Sequence, residues 1–326
     1  MFRRRSSLFP TRFRRVALPV GLVAGIAAGI AVERANPPDL GRFEDRSTVV
    51  VAADDQVLRV FMSGDDKWRL HTRSEDVDSL YLDLLKSYED QRFDRHPGVD
   101  PFSVIRAVTQ AVDNRRVVSG ASTLSMQAAR LLMPKSRSLS GKLTEMARAL
   151  QLEKRLDKSA VLNIYLTLAP FGGPVEGVRA ASWKLFGKEP RHLSVAEAAL
   201  LVAIPQSPGL RGLGGIEEEA KRGRNQVLAR ALAAGILTDK QVLEAQKVPI
   251  DLQDRSMPAI APHLTTELRR EAHGNTIRTH IDYGLQSALQ DRLARAIAVL
   301  PPGVSAAALI VRNKDAAVSA LASGGD

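Results

Sequence analysis

The chain has 326 residues, with 46 Lys and Arg against 36 Asp and Glu and a formal net charge of +10. Apolar residues make up 44% and charged residues 25%, globular averages that exclude wholesale disorder and a polytopic membrane protein. There is no cysteine, which excludes disulfides, thiolate metal sites and a cysteine nucleophile.

The charge is unevenly placed. Arg3, Arg4, Arg5, Arg12, Arg14 and Arg15 fall in the first fifteen residues with no acid among them, so the remaining residues hold 40 bases against 36 acids. Directly afterwards comes the uncharged run VALPVGLVAGIAAGIAV. At 1.5 Å per residue it reaches about 26 Å, a bilayer's hydrocarbon core. This order predicts a cytoplasmic basic tail over 1–15, a transmembrane helix over 16–33 and an exported remainder. A cleaved signal peptide has the same charge order but a shorter apolar region, so length favours the anchor. Gly21, Gly25 and Gly29 at four-residue spacing suit close helix approach. Nucleic acid is not an expected partner, because a basic arm for it would not precede a membrane-length run.

Asn36-Pro37-Pro38 reads as an extended linker. Between Val49 and Leu70 the runs VVVAA, QVLRVFM and KWRL predict two or three short strands, with Asp54-Asp55 and Ser63-Gly64-Asp65-Asp66 at turns. From about residue 76 to 250 the pattern is helical. Asp100-Pro101 predicts a helix start running towards Asn114. Val161, Ile164, Tyr165 and Leu168 give one core face. Ser194 and Glu197 form a capping box ahead of the buried helix AEAALLVAI. Towards the end, Thr276–Ile281 reads as a strand, Leu285–Val299 as a helix, and SAAALIV and AAVSALA as two strands.

Three segments carry candidate chemistry. In YEDQRFDRHPGVDPF, Glu89, Asp90, Asp94, His96 and Asp100 lie within twelve residues. Crowded carboxylates disfavour double ionisation, which suits a proton acceptor; the plain alternative is a polar turn with an N-cap. In SGASTLSMQAARLL, Ser122 and Thr123 open a helix whose free N–H groups suit an anionic oxygen. In KSRSLSGKLTEMARALQLEKRLDK, Leu143, Met146, Ala147 and Leu150 are the expected core stripe. Lys142, Glu145 and Ala149 form the stripe beside it, either a surface ion pair or a cation facing a diphosphate.

Taken in order, EDQRFDRHPGVD, SGASTLSMQ, GKLTE, KSAVLNIYLTLAPFGG and LSVAEAALLVAIPQSP resemble the peptidoglycan glycosyltransferase domain of class A penicillin-binding proteins. RALQLE, APFGG, AASWKLFGK and AEAALL resemble its 1C-type branch. The resemblance implies a mainly α, lysozyme-like domain over 76–255, preceded by a linker with short strands over 34–75. The start of an α/β transpeptidase domain, truncated, would follow over 256–326. It implies polymerisation of lipid II into β-1,4-linked glycan with inversion and release of undecaprenyl diphosphate, at a bacterial inner membrane. Glu89 would be the general base and Glu145 the second glutamate, with Asp90, Phe93 and His96 supporting. Gly120, Ser122, Thr123, Gln127, Arg137 and Lys142 would bind substrate and diphosphate. Partners implied are lipid II, the growing strand, membrane lipids and other cell-wall synthesis proteins. No cofactor is certain, and a divalent metal stays open.

Leu131, Leu132, Met133 and Pro134, flanked by Arg130, Lys135 and Arg137, read either as a bilayer-dipping stretch holding headgroups or as core. The chain departs from the family pattern at Ala121, Met126, Thr167 and Gly141, the last standing in an arginine's place. No Ser-x-x-Lys, SDN or KTG occurs, so no transpeptidase activity is expected. The alternatives are a non-catalytic lipid II-binding or cell-wall scaffold, and a lytic glycosidase.

Overall fold

The computed structural model describes residues 38–105, 122–134, 138–272 and 274–324. The expected membrane span over 16–33 lies outside the described residues. Among the described residues no helix is long and apolar enough to cross a membrane.

The described chain is mainly helical. The principal helices are α1 (Ser79–Glu89), α2 (Leu124–Leu132), α3 (Leu139–Arg155), α4 (Lys158–Leu168), α5 (Val178–Phe186), α6 (Val195–Ala203), α7 (Glu217–Ala233), α8 (Asp239–Lys247), α9 (Pro262–Glu271) and α10 (Tyr283–Ile297). Local chemistry sets many of their starts. The side chains of Asp78, Thr123, Ser138, Asp157, Ser194, Thr238 and Asp282 each accept a hydrogen bond from a first-turn N–H. Such caps contribute about 1 kcal/mol each. Ser194 and Glu197 complete the capping box read from the sequence. Behind it, α6 is buried on nearly every side and packs against α1 and α7 at the centre of the domain. Of the helix expected from Asp100, residues 101–105 are helical and the rest lies outside the described residues.

The strands fall into three small groups: β1 (Thr48–Val51) between β2 (Val57–Phe61) and β5 (Thr276–Arg278), β3 (Trp68–Arg69) beside β4 (Val175–Glu176), and the hairpin β6 (Ala306–Val311) with β7 (Val318–Gly324). Strand β1 runs antiparallel to β2 and parallel to β5, pairing Val50 with Ile277. It is buried on both faces, as its unbroken TVVV run requires. Side chains alternate along a strand, so Val49 and Val51 join the main helical core. Val50 faces a second, smaller cluster with Ala52, Leu58, Ile277 and Ile281. The strand before the helical domain is thus bound to a strand that follows it by more than 200 residues.

A buried charge cluster closes the second group. Arg69 is 0% exposed and sits directly across from Glu176 in the β3–β4 pair. Its Nε donates to Glu176 Oε2 at 2.7 Å, its Nη2 to Asp65 at 2.7 Å and its Nη1 to the Asp45 carbonyl at 2.6 Å. Arg42 takes the other Glu176 oxygen at 2.5 Å and also donates to the carbonyl of Leu131, near the end of α2. The segment before β1 is thereby fastened to the helix that carries part of the site.

One expectation is overturned. Leu143 is 60% and Leu150 46% exposed and Ala147 is exposed, while Met146 is half-buried, so most of the predicted core stripe of α3 faces outward. The helix docks instead through Gly141, Ala149 and Leu152. Small side chains allow closer backbone approach, and the polar groups on that face find partners in the interface.

Removing Arg69 leaves Glu176 in a low-dielectric site with Arg42 as its one remaining ion-pair partner among the described residues. An Arg69→Met variant is expected to lose about 3–5 kcal/mol of unfolding free energy, as read by urea denaturation.

Candidate active site

The site is built where the C-terminal end of α1 meets the N-terminal end of α2. Glu89 is the last residue of α1, and Asp90 leaves the helix with φ −160° and ψ 76°. The break sends two consecutive carboxylates in different directions. Asp90 turns inward and Glu89 stays half-buried.

The Asp90 carboxylate is 7% exposed and receives three interactions. Both oxygens lie 3.0 Å from His96 Nε2, and Oδ2 accepts the Leu124 N–H at 3.0 Å. His96 Nδ1 accepts the Gly98 N–H at 3.1 Å, so the ring proton sits on Nε2 and is donated to Asp90. Thr123, the N-cap of α2, donates to the Gly98 carbonyl at 2.5 Å while accepting from Met126 N. Phe93 is 1% exposed, edge-on to His96, with the Lys158 ammonium 4.5 Å from its ring centroid. Lys158 also donates to the His96 carbonyl at 2.6 Å and to Glu153 at 2.7 Å. These groups form a rigid joint between α1, the 93–98 loop and α2.

Against that joint, Glu89 is held by two amides. Gln127 Nε2 donates to Oε2 at 2.8 Å, and Gln206 Nε2 donates to Oε1 at 2.9 Å. Gln206 follows the buried helix α6 and is absent from the residues singled out by sequence. Its PQSP context belongs to the matched pattern, but no spacing rule connects it with a glutamate 117 positions away. Tyr81 and Tyr165 are fully buried, and neither hydroxyl has a partner among the described residues. Burial, with the Glu89 charge adding to it, raises both phenols above their ordinary value.

The other pole is cationic. Lys142 donates to the Ser122 hydroxyl and lies 3.5 Å from Glu145, one turn along α3. Burial pulls the Lys142 ammonium below the ordinary lysine value, Glu145 opposes that shift, and the neighbouring charge of Arg130 reinforces it. Arg130 also acts on Tyr165, the phenol that senses Glu89, which places its charge towards the same interior. The sequence offered Arg130 as a headgroup contact. Glu145 lines a small hollow with Ala129, Met133, Gly141, Thr144 and Arg148. Segment 122–127 therefore serves both poles: Ser122 meets Lys142, Leu124 meets Asp90, and Gln127 meets Glu89. Gly120, Ala121, Lys135 and Arg137 lie outside the described residues. Leu132 is 7% exposed and belongs to the core, with Leu131 and Met133 packed against it. Among the described residues no group of three or more His, Cys, Asp or Glu side chains is placed to hold a metal ion.

A family model described as Transglycosylase matches residues 54–232, more than half of the chain. The chain belongs to the transglycosylase family. Over 267 residues it is 42% identical to penicillin-binding protein 1C of Escherichia coli, covering 82% of this chain and 35% of that protein. It is 32% identical over 186 residues to penicillin-binding protein 1A of Aquifex aeolicus, covering 57% and 26%. Penicillin-binding protein 4 of Bacillus subtilis is 34% identical over 184 residues, covering 56% and 29%. The chain spans between about a quarter and a third of the length of these relatives. A crystal structure of penicillin-binding protein 1A from Haemophilus influenzae aligns over 82% of this chain and 36% of that one, at 16% identity and a TM-score of 0.38. That likeness is too remote to bear on the transglycosylase site.

Two departures from the family pattern have visible surroundings. Thr167 is fully buried and its hydroxyl accepts the Thr72 N–H at 3.1 Å, so it fastens the loop before α1. Met126 is fully buried, on the side of α2 away from Leu124, Ala128 and Leu132, which join the main core.

Gly98 has φ +97°, and a Cβ there would stand 2.7 Å from the Ala149 carbonyl oxygen of α3. A Gly98→Ala variant combines left-handed strain with a backbone clash. It is expected to lose at least about 2 kcal/mol of stability, measured by thermal denaturation, and to lower activity by loosening the His96–Asp90 joint.

Proposed function

We propose that this chain is a membrane-anchored peptidoglycan glycosyltransferase that polymerises lipid II into β-1,4-linked glycan strands. The single observation that carries this reading is the two-pole site. A half-buried carboxylate oriented by two amide donors lies at one end of segment 122–127, and a half-buried lysine–glutamate pair lies at the other. Glycosyl transfer with an inverted centre and a departing diphosphate asks for those two poles. It needs a base for the attacking hydroxyl and fixed positive charge for the leaving group.

In this reading Glu89 takes the proton from the acceptor 4-hydroxyl as its oxygen attacks the donor's anomeric carbon. The bond to the undecaprenyl diphosphate breaks, and the negative charge that develops on the departing diphosphate is met by Lys142 and Arg130, with Ser122, Thr123 and the first turn of α2 nearby. Glu145 holds Lys142 in place and faces the donor. Asp90, Phe93 and His96 support Glu89 from beneath. Gly120 and Arg137 complete the phosphate contacts in this proposal. The lysozyme-like domain class, the helix over 16–33, the placement at the bacterial inner membrane with the N-terminus inside, and the start of a transpeptidase domain after residue 256 belong to the same reading. They rest on the charge order and on the family motifs of the sequence. The substrate is itself a lipid, so the anchor would hold the site where lipid II resides.

Two measurements test the poles separately. Glu89→Gln keeps the shape and the amide network but cannot accept the proton. Glycan formation from purified lipid II is expected to fall by about two to four orders of magnitude. A well-folded wild-type chain that forms no glycan would favour the scaffold reading instead. Lys142 is charged only below its pKa, and that value is depressed, so its charge is lost at lower pH than for an ordinary lysine. The alkaline limb of kcat/KM is therefore expected below the lysine reference of 10.5, and Lys142→Arg should move it upward, since guanidinium stays protonated.

A further inference from the structure

We propose that Gln206 is a positioning residue that aims the Glu89 carboxylate through a network outside the family's matched acidic and basic motifs. The proposal rests on Glu89 as the proton acceptor and adds what holds it in aim.

The direction of the Gln206 amide is fixed by its neighbours. Oε1 lies 3.5 Å from Arg211 Nη1 and 3.2 Å from the Tyr88 hydroxyl. An arginine only donates, so the oxygen must face it, which leaves Nε2 for Glu89 Oε1. Arg211 is itself tied to the Ala203 carbonyl at 3.2 Å, at the end of the buried helix α6. Tyr88 is held by Arg230, whose Nη1 donates to the Tyr88 carbonyl at 3.0 Å and whose guanidinium carbon stands 4.3 Å from the ring centroid. Gln206 therefore grips two consecutive residues of α1, Tyr88 and Glu89, from the same amide.

Glutamate's last torsion is broad and roughly two-fold, so an unheld carboxylate turns freely. One donor on each oxygen fixes its plane. Gln127 supplies one from α2, and Gln206 supplies the other from the turn after α6. Misaiming a reacting group by about an ångström can cost two orders of magnitude in rate. Gln206 is exposed, and its bond to Glu89 faces solvent. Its loss takes the acceptor from the Tyr88 hydroxyl in a part-buried bond, so the unfolding midpoint is read beside kcat to separate aim from folding.

The test uses the full chain and purified lipid II, with kcat and KM measured for Gln206→Met, Gln206→Asn, Tyr88→Phe and the Tyr88→Phe/Gln206→Met double variant. Methionine keeps the volume without the donor, and asparagine keeps the amide but falls short of Glu89. Both are expected to lower kcat about ten- to thirtyfold, with KM within twofold and an unfolding midpoint within about 3 °C of wild type. Tyr88→Phe should lower kcat a few-fold alone and not further once Gln206 is methionine, because the phenol acts through that amide. An unchanged kcat in folded Gln206→Met or Gln206→Asn overturns the proposal. So does a KM effect without a kcat effect, or an equal Tyr88→Phe loss in both backgrounds. Glu89→Gln with wild-type turnover would instead overturn the base assignment on which the proposal stands, so the two failures are distinct.

Discussion

The inward turn of Asp90 is the constraint on which the rest of the site depends. One buried carboxylate joins His96, the start of α2 and, through His96 and Gly98, the N-cap Thr123. A buried carboxylate costs several kcal/mol unless its oxygens are fully paired, so the joint tolerates little rearrangement. That rigidity is inherited by Glu89, the next residue back along the chain. It leaves a helix end whose position is already fixed, and two amides have only to fix its rotation. The adjacent acids thus divide the work. Under the proposed mechanism Asp90 holds and Glu89 reacts, and the divergence at the end of α1 separates the two roles.

Much of the helical frame was legible because its signals are local. The capping box at Ser194, the apolar run behind it and the core face of Val161, Ile164, Tyr165 and Leu168 depend on residues within a few turns of each other. The same holds for the pairing of Lys142 with Glu145, which is a matter of helical spacing. What local pattern could not give is the partner of each face. The leucines of α3 read as a core stripe because leucine is usually buried. The helix docks instead where Gly141 and Ala149 allow close approach, and Gly98 meets the Ala149 carbonyl there. Closeness of backbones won over the size of side chains.

Gln206 shows the second limit. A glutamine on a turn after an apolar helix has no period, no charge and no spacing that marks it. Its meaning comes from a contact across 117 positions, made because α6 runs buried beside α1. The strand β1 shows the same limit in the fold. Its four-residue run announces a buried strand, but not that Val49 and Val51 serve the helical core while Val50 serves a second cluster built with Ile277. The residues after 256 read as the start of something separate. Strand β5 of that segment pairs with β1, a partner that no local pattern marks.

The substituted positions bear on how the cationic pole is arranged. Gly141 stands where the family pattern has an arginine, and it is buried beside Ala129 and Met133 in the hollow that Glu145 lines. The exchange removes one cation from α3. Lys142 lies on Ser122 and is partly desolvated, which lowers its pKa, while Glu145 works to keep it charged. Positive charge in a partly dry site is stronger per charge than in water. In the proposed mechanism the half-buried Lys142, kept charged by Glu145, is the cation that meets the diphosphate. The acid beside the lysine then has a reason to be there that does not depend on touching the reacting bond.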